Sequence, residues 1–318
     1  MKIVFFGTPE FVLPVLTGLH KKYVTGPGKS PIVAVVTQSP KPTGRKQILS
    51  YSPIDKWAHD HKIDTYYQGS ELVKNEVEAD FGVLAAHGEI ITKDVINLFP
   101  NGILVIHPSL LPDLRGASPI QAAITLGKKT TGVSIIKMDE KIDHGKIVAQ
   151  FKEDIKEDDT AESLRTRLFD RTNDVLLEMI DPYLHYKIKP REQDEENATF
   201  TTKVRKEDAF IPGGYLSEAL LGQDTDAEWK INFITGHVQT PSPANIEQFI
   251  RAMNPWPFAW TYIRLNNAEG TIRRLKLIKA HLEDTKLVLD EVQLEGKTPT
   301  TWKQFNEAYP SSLLSDTK

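Results

Sequence analysis

The segment GILVIHPSLLP, Gly102 to Pro112, places a histidine at the end of an apolar run. Such a run reads as a strand covered on both faces. His107 then falls at its carboxyl end, the rim where open α/β sheets bind ligands. An imidazole there suits acid–base work, or hydrogen bonding to negative charge as it develops. A second candidate, Asp143, sits in the acidic turn MDEKIDHG with Asp139, Glu140 and His144. A carboxylate within reach of a histidine orients the ring and favours its charged form. The two positions are distant in the chain, so only the fold can pair them. Spacing alone leaves open a satisfied half-buried histidine and a solvated acidic cap.

Two further segments carry suitable residue types. Gly7-Thr8-Pro9 lies where a first strand meets a first helix, another ligand-facing position, although neither G-x-G-x-x-G nor a Walker pattern is present. Lys41, Arg45 and Lys46 stand in a loop punctuated by Pro40, Pro42 and Gly44. That loop is either a solvated charge cluster or an arm that neutralises nucleic-acid phosphates. Arg115, before Gly116 in SLLPDLRG, adds a basic group next to the histidine loop.

The elements that must position these groups follow from periodicity. KIVFFG, IVAVVTQ, DFGVLAAHG and GILVIHPS read as buried strands. Between them, PEFVLPVLTGLHKK has helical spacing with Pro14 near its first turn, and a further helix starts near Ser52-Pro53. Strands and helices alternating in this way predict a Rossmann-like, doubly wound, mostly parallel α/β sheet. Thr131 to Asp139 and Gly145 to Ile155 look like a β-ribbon, and an amphipathic helix follows with Asp159 or Thr160 as its N-cap. The polar stretch around 189–198 reads as a linker between a catalytic domain, 1–188, and a smaller C-terminal β-barrel, 199–318, of OB-like type. Within the latter, 212–244 reads as an irregular insertion.

Composition sets the outer bounds. A chain of 318 residues can bury a full core, and with no cysteine it has neither disulfides nor thiolate chemistry. A net charge of −4 supplies no global attraction to nucleic acid, so any such binding must use local patches. No apolar run approaches the roughly 18–20 residues of a membrane span, and the N-terminus lacks the pattern of a signal peptide. The expectation is a cytoplasmic monomer without a membrane partner.

Taken together, the segments IVFFGTPEFVLPVL, TQSPKPTGRKQILSYSPI, GVLAAHGEIITKDVI, HPSLLPDLRGASPIQAAI, GVSIIKMDEKIDHG, ATFTTKVRKEDAFI, FIRAMNPWPFAWT and LEGKTPTTWKQF resemble the methionyl-tRNA formyltransferase family over nearly the whole chain. The resemblance implies formyl transfer from 10-formyltetrahydrofolate, a co-substrate, to the α-amino group of methionine on initiator tRNA, with no metal. It places His107 and Asp143 in the catalytic set. It implies a folate pocket walled by Leu84, Ala85, Ala86, His87, Gly88, Glu89 and Ile90 on one side, and by Met138, Asp139, Glu140 and Ile142 on the other. Phe6, Gly7, Thr8 and Pro9, together with Ser109, Leu110, Leu111 and Pro112, match substrate contacts. Lys41, Arg45, Lys46 and Arg115 match the tRNA-facing side.

One position departs from the family. Its pattern before the histidine is Asn-x-His, and here the asparagine position is Val105. Valine has no hydrogen to donate to a formyl oxygen, and loss of one such donor typically costs about 10²–10³ in rate. The departure separates three readings: a transferase with another donor or a water in the gap, a 10-formyltetrahydrofolate hydrolase, and a catalytically impaired folate- or tRNA-binding relative. The tRNA-facing segments favour the first over a hydrolase or a sugar-nucleotide formyltransferase. His87 is a smaller departure, standing where the family commonly has tyrosine.

Overall fold

Short runs of β-branched and aromatic residues form the strands Ile3–Gly7, Ile32–Val36, Phe81–Ala85 and Ile103–His107, whose side chains are almost wholly buried. Continuous burial, rather than alternation, is the mark of a sheet covered on both faces. The computed structural model describes residues 1–26, 28–43, 47–266 and 270–317. They fall into two compact units. The first comprises Met1–Arg115, Gly132–Glu153 and Arg165–Ala198; the second comprises Gly116–Thr131, Asp154–Leu164 and Thr199–Lys318.

The central sheet has seven strands in the order Lys146–Asp154, Thr130–Lys137, Ile103–His107, Phe81–Ala85, Ile3–Gly7, Ile32–Val36, Asp64–Tyr66. The five from Ile103–His107 to Asp64–Tyr66 are mutually parallel, and Thr130–Lys137 runs antiparallel to Ile103–His107. The fold is therefore a mixed α/β fold with a parallel-dominant sheet. Thr130–Lys137 and Lys146–Asp154, expected as a ribbon, are strands of this same sheet. The chain leaves Ile3–Gly7 toward one edge and later returns to build toward the other. The order thus reverses between Ile3–Gly7 and Phe81–Ala85, and ligands of open α/β sheets bind at the carboxyl ends flanking such a reversal.

Local chemistry fixes the helices beside the sheet. Leu13–Tyr23 tolerates Pro14 because it falls in the first turn, where a backbone N–H has no helical acceptor. Pro53–His61 begins with proline and is capped by Ser52 Oγ, which accepts from the Asp55 N–H at 3.0 Å. Under the sheet, Val4, Phe6, Val36, Leu72, Val95, Phe99 and Ile103 form one apolar cluster. Truncating a fully buried ring such as Phe6 to alanine would cost about 3–5 kcal/mol.

The basic loop is a short hairpin, Lys41–Thr43 against Ile48–Ser50. Lys41 is exposed, whereas Arg45 and Lys46 lie outside the described residues. In the second unit, Thr300–Thr301, Lys286–Leu294, Ile272–Glu283, Ala259–Arg264 and Leu313–Ser315 form a five-stranded antiparallel sheet in that order. The segment expected to be irregular contains a nine-residue helix, Gly213–Leu221, closed by Gly222 in the left-handed conformation. Its two leading glycines hide the helical pattern from a propensity reading. Among the described residues, no helix is long and apolar enough to cross a membrane.

Candidate active site

His107 is the last residue of its strand and is 4% exposed. Its Nε2 lies 3.0 Å from the Leu114 carbonyl oxygen, and its Nδ1 lies 3.4 Å from Asp143 Oδ2. A carbonyl only accepts, so Nε2 carries the hydrogen. The Asp143 carboxylate at Nδ1 forms an ion pair with the ring when the ring is protonated.

Asp143 reaches the histidine from a turn with little freedom. Its own φ is +50°, uncommon for a residue with a side chain. Two residues on, Gly145 packs so close to the Lys137 carbonyl that a Cβ would lie 1.9 Å from that oxygen. Only glycine fits there. His144, between them, pairs its Nδ1 with Asp139 Oδ2 at 2.5 Å.

The loop after His107 is held by its own polar groups. Ser109 N–H donates to the His107 carbonyl at 2.9 Å, and Ser109 Oγ donates to the Asp113 carbonyl at 2.6 Å. Ser134 Oγ donates to the Ser109 carbonyl and accepts from the Leu111 N–H. Ser109 and Leu111 are buried supports of this loop, while Leu110 and Pro112 are half-buried at its rim.

Val105 is 6% exposed and packs with Leu111, Ile136 and Ile147, with Leu84 and Met138 against the same cluster. The position that would carry an amide is thus a dry apolar contact beside the histidine.

The loop after Phe81–Ala85 turns through two left-handed residues, Ala86 (φ +48°) and Gly88 (φ +91°). This folds His87 inward to 3% exposure and leaves Ala86, Gly88, Glu89 and Ile90 outside. His87 meets Phe6 edge to face at 5.7 Å, joining this loop to the first strand across the strand-order reversal. Its Nε2 donates to Glu89 Oε2 at 3.2 Å, whereas Nδ1 is buried without a hydrogen-bond partner. Burial holds the His87 pKa below the ordinary imidazole value, against the opposing pull of Glu89. Lys93 Nζ pairs with Glu140 Oε1 at 2.7 Å, which draws this loop toward the Met138–Asp143 turn. Two aliphatic side chains flank that pair in sequence and face solvent: Ile90, 85% exposed, and Ile142, 73% exposed.

On the first strand Phe6 and Gly7 are buried, and Thr8 and Pro9 are half-buried at the strand's end. Thr8 Oγ1 accepts from the Gln38 N–H at 3.3 Å. Arg115, expected on the tRNA-facing side, is only 3% exposed. Its guanidinium donates to Gln193 Oε1 and to both oxygens of Glu195. The guanidinium is thus enclosed by Gln193 and Glu195.

Gln193 and Glu195 themselves were invisible to sequence reading. They lie in a polar run that looks like free linker, yet Arg191 makes a two-bond antiparallel bridge with Ile147. No periodicity marks such a strap, which exists only through tertiary hydrogen bonds.

The parallel-dominant sheet thus carries a His–Asp pair at its carboxyl rim. The formyl transferase family profile matches residues 1–180. Methionyl-tRNA formyltransferases from Fusobacterium nucleatum and Pelagibacter ubique are 32% and 36% identical to the chain. Those alignments span 89% of this chain and 81% of the first relative, and 96% of this chain and 94% of the second. Among solved structures, a methionyl-tRNA formyltransferase from Clostridium thermocellum superposes with a TM-score of 0.56 at 19% identity, covering 92% of this chain and 98% of its own. An N-formyltransferase from Helicobacter canadensis, in complex with folinic acid and dTDP-3-aminofucose, gives 0.60 at 15%, covering 89% and 88%. These two share the fold. The chain belongs to the methionyl-tRNA formyltransferase family.

Proposed function

We propose that the protein transfers a formyl group from 10-formyltetrahydrofolate to the α-amino group of methionyl-tRNA in translation initiation. The observation that carries this reading is the His107–Asp143 contact at the sheet rim, next to the loops that flank the strand-order reversal. When bound, the folate supplies a formyl carbon that the amine attacks, and it leaves as tetrahydrofolate. To donate to the negative charge that grows on the formyl oxygen, a ring N–H of His107 turns from its present partner, the Leu114 carbonyl or Asp143. The attacking amine must lose a proton, the Asp143 carboxylate is an acceptor at that rim, and the proton passes on to the folate nitrogen as its bond to the formyl carbon breaks.

The residues present suit a flat, partly apolar co-substrate. Exposed Ile90 and Ile142, with half-buried Leu84 and Met138, offer apolar faces. For the tRNA, the exposed Lys41 hairpin and the basic strand of the C-terminal sheet offer two patches. On that strand Arg273, Arg274 and Lys276 are exposed, with Arg274 over the Trp260 ring at 4.4 Å. Phosphate neutralisation and base stacking use such pairs. We assign this sheet to a small OB-like barrel domain, 199–318, joined to the catalytic domain, 1–188, by the segment 189–198.

The test is product formation from charged initiator tRNA and 10-formyltetrahydrofolate, with tetrahydrofolate release followed in parallel. Formylmethionyl-tRNA, with release dependent on the acceptor, is the expected result. Release of tetrahydrofolate and formate without tRNA would make the protein a hydrolase. No turnover beside a working control enzyme would make it a binding relative.

A further inference from the structure

We infer that Gln193 is a positioning residue for the His107–Asp143 pair, an assignment that rests on the reaction proposed above. The side-chain amide of Gln193 uses its full hydrogen-bonding capacity. Its Nε2 donates to the Asp143 carbonyl and to the Gly145 carbonyl, both at 2.8 Å. Its Oε1 accepts from Arg115 Nε at 3.1 Å and from Arg115 Nη2 at 2.7 Å. A half-turn of the amide would set N–H against N–H and oxygen against oxygen, so its orientation is fixed by its partners.

The two sides of this amide are the two supports of the histidine. One side pins the backbone of the Asp143 turn on both flanks of His144, in the stretch where Asp143 holds its left-handed φ of +50°. A carboxylate on such a backbone is aimed by whatever fixes the turn. The other side pins Arg115, the residue after Leu114, whose carbonyl accepts from His107 Nε2. Gln193 therefore couples the acceptor at Nε2 to the acceptor at Nδ1, with no contact to the imidazole itself.

The segment bearing Gln193 has anchors of its own. Arg191 and Ile147 exchange two backbone hydrogen bonds at 2.8 and 2.9 Å. Arg191 Nη2 also donates to Gln150 Oε1, and Gln150 Nε2 donates to the Leu111 carbonyl of the loop after His107. Glu195 meets Arg115 Nη1 at 2.9 Å, and the guanidinium beside it holds its carboxyl below the usual range. The strap thus grips both site loops.

The experiment compares wild type with Gln193→Met and Gln193→Glu. Methionine keeps the length and removes every hydrogen bond. Glutamate keeps the shape and the acceptor toward Arg115, but removes both donors to the turn. Each protein is assayed for formylation rate, for melting temperature, and for the His107 ring signals of ¹⁵N-histidine-labelled protein, assigned with His107→Asn. The expected result is a fall in kcat of about 10–100-fold in both variants, with KM for folate and tRNA changed by less than about threefold. The His107 ring signals should move in both. Ring signals unmoved with kcat within about twofold of wild type, or a loss confined to KM or melting temperature, would overturn the assignment. If Gln193→Met does not fold, the near-isosteric Gln193→Glu decides by the same criteria. The ring signals separate this inference from the reaction: should wild type form no product while the signals still move, the positioning role stands and the proposed function falls.

Discussion

Asp143 Oδ2 lies 3.4 Å from His107 Nδ1, while the opposite ring nitrogen is tied to the Leu114 carbonyl at 3.0 Å. The imidazole is therefore set between two acceptors. Asp143→Asn keeps the size of the side chain and removes the charge. The expected outcome is a fall of about 10²–10⁴ in formylation rate, the usual span of acid–base assistance, with the fold retained. Initial rates with charged tRNA check it, and a rate within about twofold of wild type would mean that the charge has no role in turnover.

Val105 tests a different element of the same rim. Its packing among Leu111, Ile136 and Ile147 makes Val105→Asn a trade between stability and chemistry. The new amide could donate to a formyl oxygen and raise the transfer rate by about 10-fold or more, the converse of deleting such a donor. Burying it in an apolar cluster should cost about 1–3 kcal/mol, seen in urea unfolding. A rate equal to or below wild type would show that this site is built around valine.

The parallel strands, their order of appearance and His107 at a strand's end were legible because each is a local pattern: an apolar run, a breaker, a chemical residue. Asp143 was legible only as a residue type, since its pairing depends on a turn fixed by Gly145 and the Lys137 carbonyl. The burial of Arg115 was hidden for a similar reason. An arginine in a proline-bounded loop looks solvent-facing until a remote segment encloses it. Gln193 was not legible at all, because a polar run carries no periodicity and the hydrogen bonds that recruit it are tertiary. The Gly213–Leu221 helix escaped notice because two glycines open it.

The basic strand of the C-terminal sheet predicts a salt signature. Arg274 stacks on Trp260 at 4.4 Å, and Lys276 lies 5.3 Å from the Phe258 ring centroid. If these charges neutralise tRNA phosphates, Arg274→Ala should weaken tRNA binding. It should also reduce the slope of log affinity against log salt by about one unit, with KM for folate unchanged. Fluorescence titrations at several salt concentrations measure it. An unchanged slope would place the tRNA elsewhere.

His87 gives the protein an acid sensitivity with a defined sign. Burial lowers its pKa from the ordinary 6.5, while Glu89 opposes the shift less strongly. Below 6.5 the unfolded chain takes up a proton at this position that the folded protein declines, so protonation favours unfolding. The stability contributed by neutral His87 is complete above 6.5 and is lost as pH falls from there to the lowered folded value. His87→Tyr carries no titration in that range and keeps a ring against Phe6. Between about pH 7.5 and about pH 5.5, wild type should lose more unfolding free energy than His87→Tyr, since other carboxylates and histidines titrate in both proteins. Urea denaturation at the two pH values measures the difference, and equal losses would mean that the imidazole takes up its proton as readily folded as unfolded.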